Sequence, residues 1–519
     1  MCVYRATWLT LVTTFFAGAI AATAFAAGRP NIVLIFSDDH AAQAVSAYGS
    51  QLNQTPNIDR LAKEGIRFDR CYVTNALCGP SRACLFTGKY SHQNGFYDNS
   101  STFDGSQQTF PKLLQQTGYQ TAVIGKWHLV SDPTGFDHWQ VLPGQGRYYS
   151  PIFLTPAGRV TEPGYVTDVI TEKSIAWLRG QRDLDKPFFL MVGHKAPHRE
   201  WEPGPAHVGK LADHKIPEPK TLFDEYEGRA DAARSATMRV GDLRLEEDLK
   251  LYSPESPYGE QQMRLMNDEE KTAWLAAYAA ENEAFNSDPP KGEELVRWKY
   301  QRYMKDYLRT VQSVDDSVGQ LLTYLDESGL ADNTIVVYSS DNGFFLGEHG
   351  WFDKRFMYEQ SLRVPLVVRW PGVAKAGGAE SRIVSNVDFA ETFLDAAGVA
   401  TPADMQGRSF APLLKGEAPE DWRTAFYYHY YEGPPAVHTV REHYGVTDGR
   451  YKLIHYFKIN QWELFDLAAD PDEMKSVYGQ PDYAVPRARM EEELARLREE
   501  LGVTSDDTEP PAESGSDAS

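Results

Sequence analysis

Cysteine is scarce in this chain, four residues in 519. Cys2 precedes the N-terminal apolar run, which leaves Cys71, Cys78 and Cys84, too few for a disulfide framework. Net positive charge is also missing. Lys and Arg number 52 against 73 acids, a formal charge of −21. That argues against a nucleic-acid partner, and any attraction for an anionic substrate has to be local. Beyond the run from Ala6 to Phe25 no apolar stretch is long enough to cross a bilayer. That run follows a lone Arg5 and ends in Ala24-Phe25-Ala26, a small-x-small cleavage signal. Residues 1–26 are therefore expected to be a signal peptide, and the mature chain to be secreted or periplasmic and free of the membrane; a retained anchor is the alternative. No internal repeat is found, which excludes a repeat architecture.

What is present is a globular balance, 42% hydrophobic and 24% charged, long enough for one large domain and a smaller one. Four apolar runs each end in a polar cluster. Asn31–Ser37 leads to Asp38-Asp39-His40, Thr121–Gly125 to Lys126-Trp127-His128, Pro187–Gly193 to His194-Lys195-Ala196-Pro197-His198, and Thr334–Ser340 to Asp341-Asn342-Gly343. Near-continuous runs of this kind, separated by helical patterns, predict buried parallel strands. In open α/β sheets ligands sit at the carboxyl ends of the strands, so four charged strand ends predict one convergent site.

Helical spacing is expected over Ile58–Glu64, Pro111–Gln116 and residues 292–328, the last with its apolar stripe serving core packing. Residues 203–290 read as an insertion of mixed helix and loop at the rim of the site. From about Trp422 the texture changes to aromatic alternation, Phe426–Tyr431 and Tyr451–Tyr456, with Asp448-Gly449 as a hairpin turn. The last stretch, 504–519, is rich in Ser, Asp, Glu and Pro and predicts a disordered acidic tail.

Three carboxylates and an amide at two strand ends, Asp38, Asp39, Asp341 and Asn342, suit a hard divalent cation such as Ca²⁺ or Mg²⁺. Without a cation they would repel one another and could not all stay ionised. Taken alone, an Asp-Asp pair is often only a helix start, and a lone His or Lys is more often core or surface. Arg82 lies four residues after Cys78 and shares its face if 78–88 opens a helix, whose N-terminus would favour an anion.

The stretch Cys78-Gly79-Pro80-Ser81-Arg82-Ala83-Cys84-Leu85-Phe86-Thr87-Gly88 resembles the Cys-x-Pro-Ser-Arg-x-x-Leu-x-Thr-Gly signature of type I sulfatases. Gly125-Lys126-Trp127-His128, Ala196-Pro197-His198 and His349–Lys354 match further family motifs. The resemblance implies an alkaline-phosphatase-like α/β sandwich with a mostly parallel central sheet. It implies a catalytic domain over 27–415 and a smaller C-terminal antiparallel-sheet subdomain over 416–503. It implies that a maturation enzyme oxidises Cys78 to formylglycine, which works as a hydrate. One geminal hydroxyl attacks sulfur and the other later expels sulfate. By the same resemblance, Asp38, Asp39, Asp341, Asn342 and position 78 bind the metal, and Arg82 lies against the hydrate. Lys126 and Lys354 clamp the sulfate, His128 deprotonates the second hydroxyl, and His198 protonates the leaving alcohol.

Gly135–Gln140, Leu142-Pro143-Gly144-Gln145-Gly146, Tyr427–Tyr431, His443-Tyr444-Gly445 and Glu463–Asp466 are similar to the branch with bacterial N-acetylglucosamine-6-sulfatases, the mucin-desulfating enzymes. The expected substrate is a sulfated oligo- or polysaccharide, with 6-O-sulfated N-acetylglucosamine in mucin or glycosaminoglycan favoured and other sulfated polysaccharides open. His194, Glu348 and His349 are candidate substrate contacts, with His194 alternatively a buttress for His198; the region of His429, His438 and His443 could add sugar-hydroxyl contacts or be the core and polar edge of a β-sheet, and Trp139 or Trp351 could stack on a sugar ring. Two rivals stand beside this: a phosphate or phosphonate ester hydrolase on the same fold, and a non-catalytic sulfoglycan binder with unconverted Cys78. Cys71 and Cys84 either pair or stay as buried thiols.

Overall fold

The computed structural model describes residues 29–504. The signal peptide expected over 1–26 and, apart from Thr504, the tail expected over 504–519 lie outside the described residues.

Strands β1 (Asn31–Ser37), β2 (Ile66–Tyr72), β3 (Gln120–Lys126), β4 (His138–Leu142), β5 (Ile152–Thr155), β6 (Gly158–Thr161), β7 (Phe188–Gly193) and β8 (Thr334–Ser340) supply most of one large sheet. A two-residue ladder, β9 (Phe345–Leu346) with β10 (Phe352–Asp353), follows outside it. Strands β11 (Arg363–Arg369), β12 (Gly378–Glu380) and β13 (Val384–Ser385) rejoin the large sheet, which runs β12-β2-β11-β8-β1-β7-β3-β4-β5-β6 with β13 also on β2. The four expected strands are its adjacent parallel centre, β8-β1-β7-β3. Their runs are continuous because both faces are covered. Ile32, Leu34 and Phe36 enter one core with the helices Cys78–Thr87, Phe110–Gln116 and Asp388–Ala396, while Val33 and Ile35 enter another with Val166–Ala176 and the long helix Glu293–Glu327.

A separate antiparallel sheet is built from β14 (Phe426–Tyr430), β15 (His443–Thr447), β16 (Tyr451–Tyr456) and β17 (Gln461–Asp466), with the helix Ala484–Glu500 packed on it. Asp448 and Gly449 form the β15–β16 turn, Gly449 at φ 83. The fold class is therefore mixed α/β with a small antiparallel sheet, as the sequence predicts. Cys71, Cys78 and Cys84 are all free and buried, which answers the question left open for the first and last. Among the described residues no helix is long and apolar enough to cross a membrane.

Candidate active site

The helix Cys78–Thr87 begins at the signature cysteine and ends at Gly88, left-handed at φ 65, whose N–H donates to the Cys84 carbonyl. The signature residues tie it to the strand ends. Ser81 Oγ donates to the Asp341 carbonyl at 2.6 Å. Arg82 Nε donates to Asp341 Oδ2 at 2.9 Å and a terminal nitrogen to the Lys126 carbonyl at 3.0 Å, linking β8 to β3. Gly79 is forced by space, since a Cβ there would meet Phe96 at 2.7 Å and Asn99 Oδ1 at 2.9 Å. The Gly79 N–H, an orphan donor of the first turn, donates to that Asn99 oxygen at 3.0 Å.

Asp39, at φ 63, turns its N–H onto Asp341 Oδ1 at 3.0 Å. Asn342 Nδ2 lies 3.2 Å from Asp39 Oδ1, 3.2 Å from Asp341 Oδ1 and 3.7 Å from Cys78 Sγ. Lys354 Nζ pairs with Asp39 Oδ2 at 2.6 Å, and Lys126 Nζ pairs with Asp38. His198 Nε2 stands 3.7 Å from Asp39 Oδ2. Donor atoms of Asp38, Asp39, Cys78 and His198 all lie within 4.8 Å of one another. The structure thus brings together Asp38, Asp39, Cys78, Arg82, Lys126, His198, Asp341, Asn342 and Lys354. His128 follows β3 at φ 57, half-buried, with its Nδ1 enclosed and unpartnered.

The electrostatics match so dense a cluster. Burial disfavours ionisation of Asp38, but Lys126, His198, Arg82 and Lys354 outweigh it and hold the carboxyl well below its usual range. Burial raises Asp341 and Asp39, with Asp38 adding repulsion at both. Burial, then Lys126, pushes His128 and His198 well below the ordinary imidazole value. Asp38 Oδ2 is taken by Lys126, but Asp38 Oδ1 accepts no hydrogen bond, and Asn342 Oδ1 is likewise buried without a donor. Unused oxygen lone pairs beside three carboxylates fit a hard cation with oxygen ligands.

Three expected substrate contacts lie elsewhere. His194 continues the face of β7 that carries Leu190 and Val192, is fully buried, and places Nε2 3.0 Å from Ser317 Oγ on the long helix. Glu348 is held locally, accepting the Leu346 N–H at 2.5 Å. His349 puts Nδ1 3.1 Å from Asp224 Oδ2 and packs on Trp351 and Tyr358, locking the insertion to the core. Trp351 is itself fully buried in a stack with Tyr226, Phe356 and Tyr358.

Sequence reasoning missed the residues beside Lys354. Asp353 and Arg355 sit at φ 80 and 92, uncommon for residues with a Cβ, and Arg355 Nε donates to Asp353 Oδ2 at 2.6 Å. His438 Nε2 approaches the same Asp353 oxygen at 3.6 Å. These three side chains keep 8–9% exposure at the edge of the cluster. The signal was their place flanking Lys354 in a stretch already singled out. Of the three histidines grouped near the small sheet, His438 alone reaches this edge; His429 stacks on Tyr431 and His443 accepts the Met357 N–H.

A family model for sulfatases matches residues 30–399, and one for the C-terminal part of N-sulphoglucosamine sulphohydrolase matches 347–500. The chain is 52% identical over 495 residues to an N-acetylglucosamine-6-O-sulfatase of Bacteroides thetaiotaomicron, covering 93% of this chain and 88% of the relative. It superposes on a solved protein in complex with its substrate, D-glucosamine-2-N,6-O-disulfate, with a TM-score of 0.90 and 51% identity, over 92% of this chain and 99% of that one. The phosphonate monoester hydrolase of Agrobacterium radiobacter matches at a TM-score of 0.65 and 23% identity, over 91% of this chain and 96% of that one, a likeness of alkaline-phosphatase-like fold alone.

Proposed function

The chain belongs to the sulfatase family, and from that premise we propose that it hydrolyses the 6-O-sulfate of glucosamine units in mucin- or glycosaminoglycan-type glycans. The observation that carries the substrate is the 52% identity to an N-acetylglucosamine-6-O-sulfatase across 93% of this chain. The apolar N-terminal run of residues 6–25 supports an enzyme that works outside the cytoplasm.

In this reading Cys78 is converted to formylglycine, whose hydrate supplies a hydroxyl nucleophile where a thiol would not serve. Asp38, Asp39, Asp341, Asn342 and position 78 would hold a divalent cation, Ca²⁺ or Mg²⁺, which would neutralise sulfate charge and acidify the hydrate. Arg82 pairs with Asp341 and fixes the helix that carries the nucleophile. Lys126 and Lys354 approach Asp38 and Asp39 from two directions and would balance charge on the sulfuryl oxygens. His128 is neutral by virtue of burial and of Lys126, the state a proton acceptor needs. His198 would protonate the leaving sugar oxygen. Its Nδ1 meets the Arg199 carbonyl at 2.6 Å, which directs Nε2 to the site, and the charge of an incoming sulfate raises its proton affinity. Asp353, Arg355 and His438 offer an acceptor, a fork of donors and an imidazole to sugar hydroxyls.

The test is sulfate release from N-acetylglucosamine 6-sulfate, run beside galactose 6-sulfate and a 2-O-sulfated uronate disaccharide. Selective release from the first is expected. Release from either of the others in preference would overturn the substrate assignment while leaving the class intact.

A further inference from the structure

The stretch Leu142-Pro143-Gly144-Gln145-Gly146 has no role in the mechanism above, yet it touches the site. Leu142 ends β4 opposite Lys126 at the end of β3. The chain then turns, the Gly146 N–H donating to the Pro143 carbonyl at 2.9 Å. Gly144 and Gly146 have φ of 53 and 70, and a Cβ at Gly146 would come within 2.8 Å of Leu142. This turn carries Gln145, an exposed residue, back over the strand end so that its Oε1 accepts a hydrogen bond from the buried Lys126 Nζ.

An ammonium has three protons and cannot accept. Lys126 spends one on Asp38 and one on Gln145, which leaves one for a substrate oxygen. The same rule fixes the carboxamide: its oxygen faces Lys126, so its nitrogen faces away, and that NH₂ has no hydrogen bond among the described residues. Three residues on, Tyr148 of the same loop donates to the His198 carbonyl at 2.5 Å, so one loop reaches both the lysine and the histidine side of the cluster.

We propose that Gln145 is a substrate-contacting residue of the sulfate site, its oxygen fixing the Lys126 ammonium and its amide nitrogen donating to an oxygen of the sulfate ester. This rests on Lys126 being the sulfate-binding lysine. Gln145→Glu keeps an oxygen toward Lys126 and replaces the donor with a charged acceptor that repels sulfate.

The experiment measures kcat, KM and inhibition by inorganic sulfate for enzyme with position 78 converted, acting on N-acetylglucosamine 6-sulfate, with thermal unfolding alongside. For Gln145→Glu the KM and the sulfate inhibition constant should rise about 10- to 100-fold, the range of one hydrogen bond to a charged group, with a smaller fall in kcat and an unchanged Tm. Gln145→Ala should weaken sulfate inhibition less, since it removes the donor without adding repulsion. If both variants keep KM and sulfate inhibition within roughly twofold while Lys126→Met raises both, the proposal fails and the lysine assignment stands. If Lys126→Met also leaves them unchanged, the lysine assignment itself has failed. A drop in Tm with KM and sulfate inhibition unchanged would make Gln145 a merely structural residue and overturn the proposal.

Discussion

Buried charge gathers in two places in this molecule, and they are built on opposite plans. Beneath the small sheet, Lys452 Nζ meets Glu473 at 2.6 Å and Glu359 at 3.0 Å. The other Glu473 oxygen accepts the Glu359 N–H, and Glu463 accepts from the Ala230 N–H and from the hydroxyls of Tyr358 and Tyr456. Each oxygen of Glu463 and Glu473 has a donor. At the end of the parallel sheet, by contrast, Lys126 takes Asp38 Oδ2 while Asp38 Oδ1 and Asn342 Oδ1 have no donor, and Asp38, Asp39 and Asp341 crowd together. A closed network of charges is a structural joint; one with unused lone pairs is waiting for something. Burial and a perturbed pKa do not separate the two, whereas the accounting of donors and acceptors does.

The sharpest way to break the contrast is kinetic. Cys78→Ala should lower turnover at least about 10⁴-fold, as loss of a nucleophile does, with thermal unfolding unmoved. Unfolding of the variant would instead make the site end of the sheet a structural joint as well. His198→Ala should cost about 10²- to 10⁴-fold on sugar sulfates and far less on aryl sulfates, whose leaving groups need no acid; equal losses on both would remove His198 as the proton donor.

The complementary change is Lys452→Met. It leaves Glu473 and Glu359 buried without their cation and should reduce stability by about 3–5 kcal/mol in denaturant titration, with kcat per folded molecule unchanged. A loss of kcat without a loss of stability would give that cluster a functional role.

Glu391 lies between the two plans. It accepts the Gly407 N–H through one oxygen, while the other has no donor, and burial with nearby Asp388 pushes its carboxyl up to about 8. The folded state then holds a proton that the unfolded state releases near its ordinary value, so stability falls as pH rises from the ordinary carboxylate range toward 8. Glu391→Gln should flatten that part of the stability profile, the smallest of these effects; an unchanged slope would place the titration elsewhere.

Much of this was legible in the chain. The four central strands announce themselves because burial on both faces makes their runs continuous, and the signature at Cys78–Gly88 is local. The place of His194 was also legible: alternation along β7 sets it with Leu190 and Val192, toward the long helix. Asp353 and Arg355, and their meeting with His438, were hidden for a different reason. They meet on segments some 85 residues apart, and the backbone there takes positive φ, which no alternation rule anticipates.

Asp39 and Asp341 are 302 residues apart in sequence, yet one peptide N–H of the first sits on a carboxylate of the second. Such a pocket comes into being late in folding, when the central parallel strands have closed. The thiol of Cys78, fully buried once they have, can be reached by another protein only before that moment. In the proposed reading, the time the chain takes to fold is thus the time allowed for the oxidation of Cys78, and a variant that folds faster would carry more unconverted cysteine.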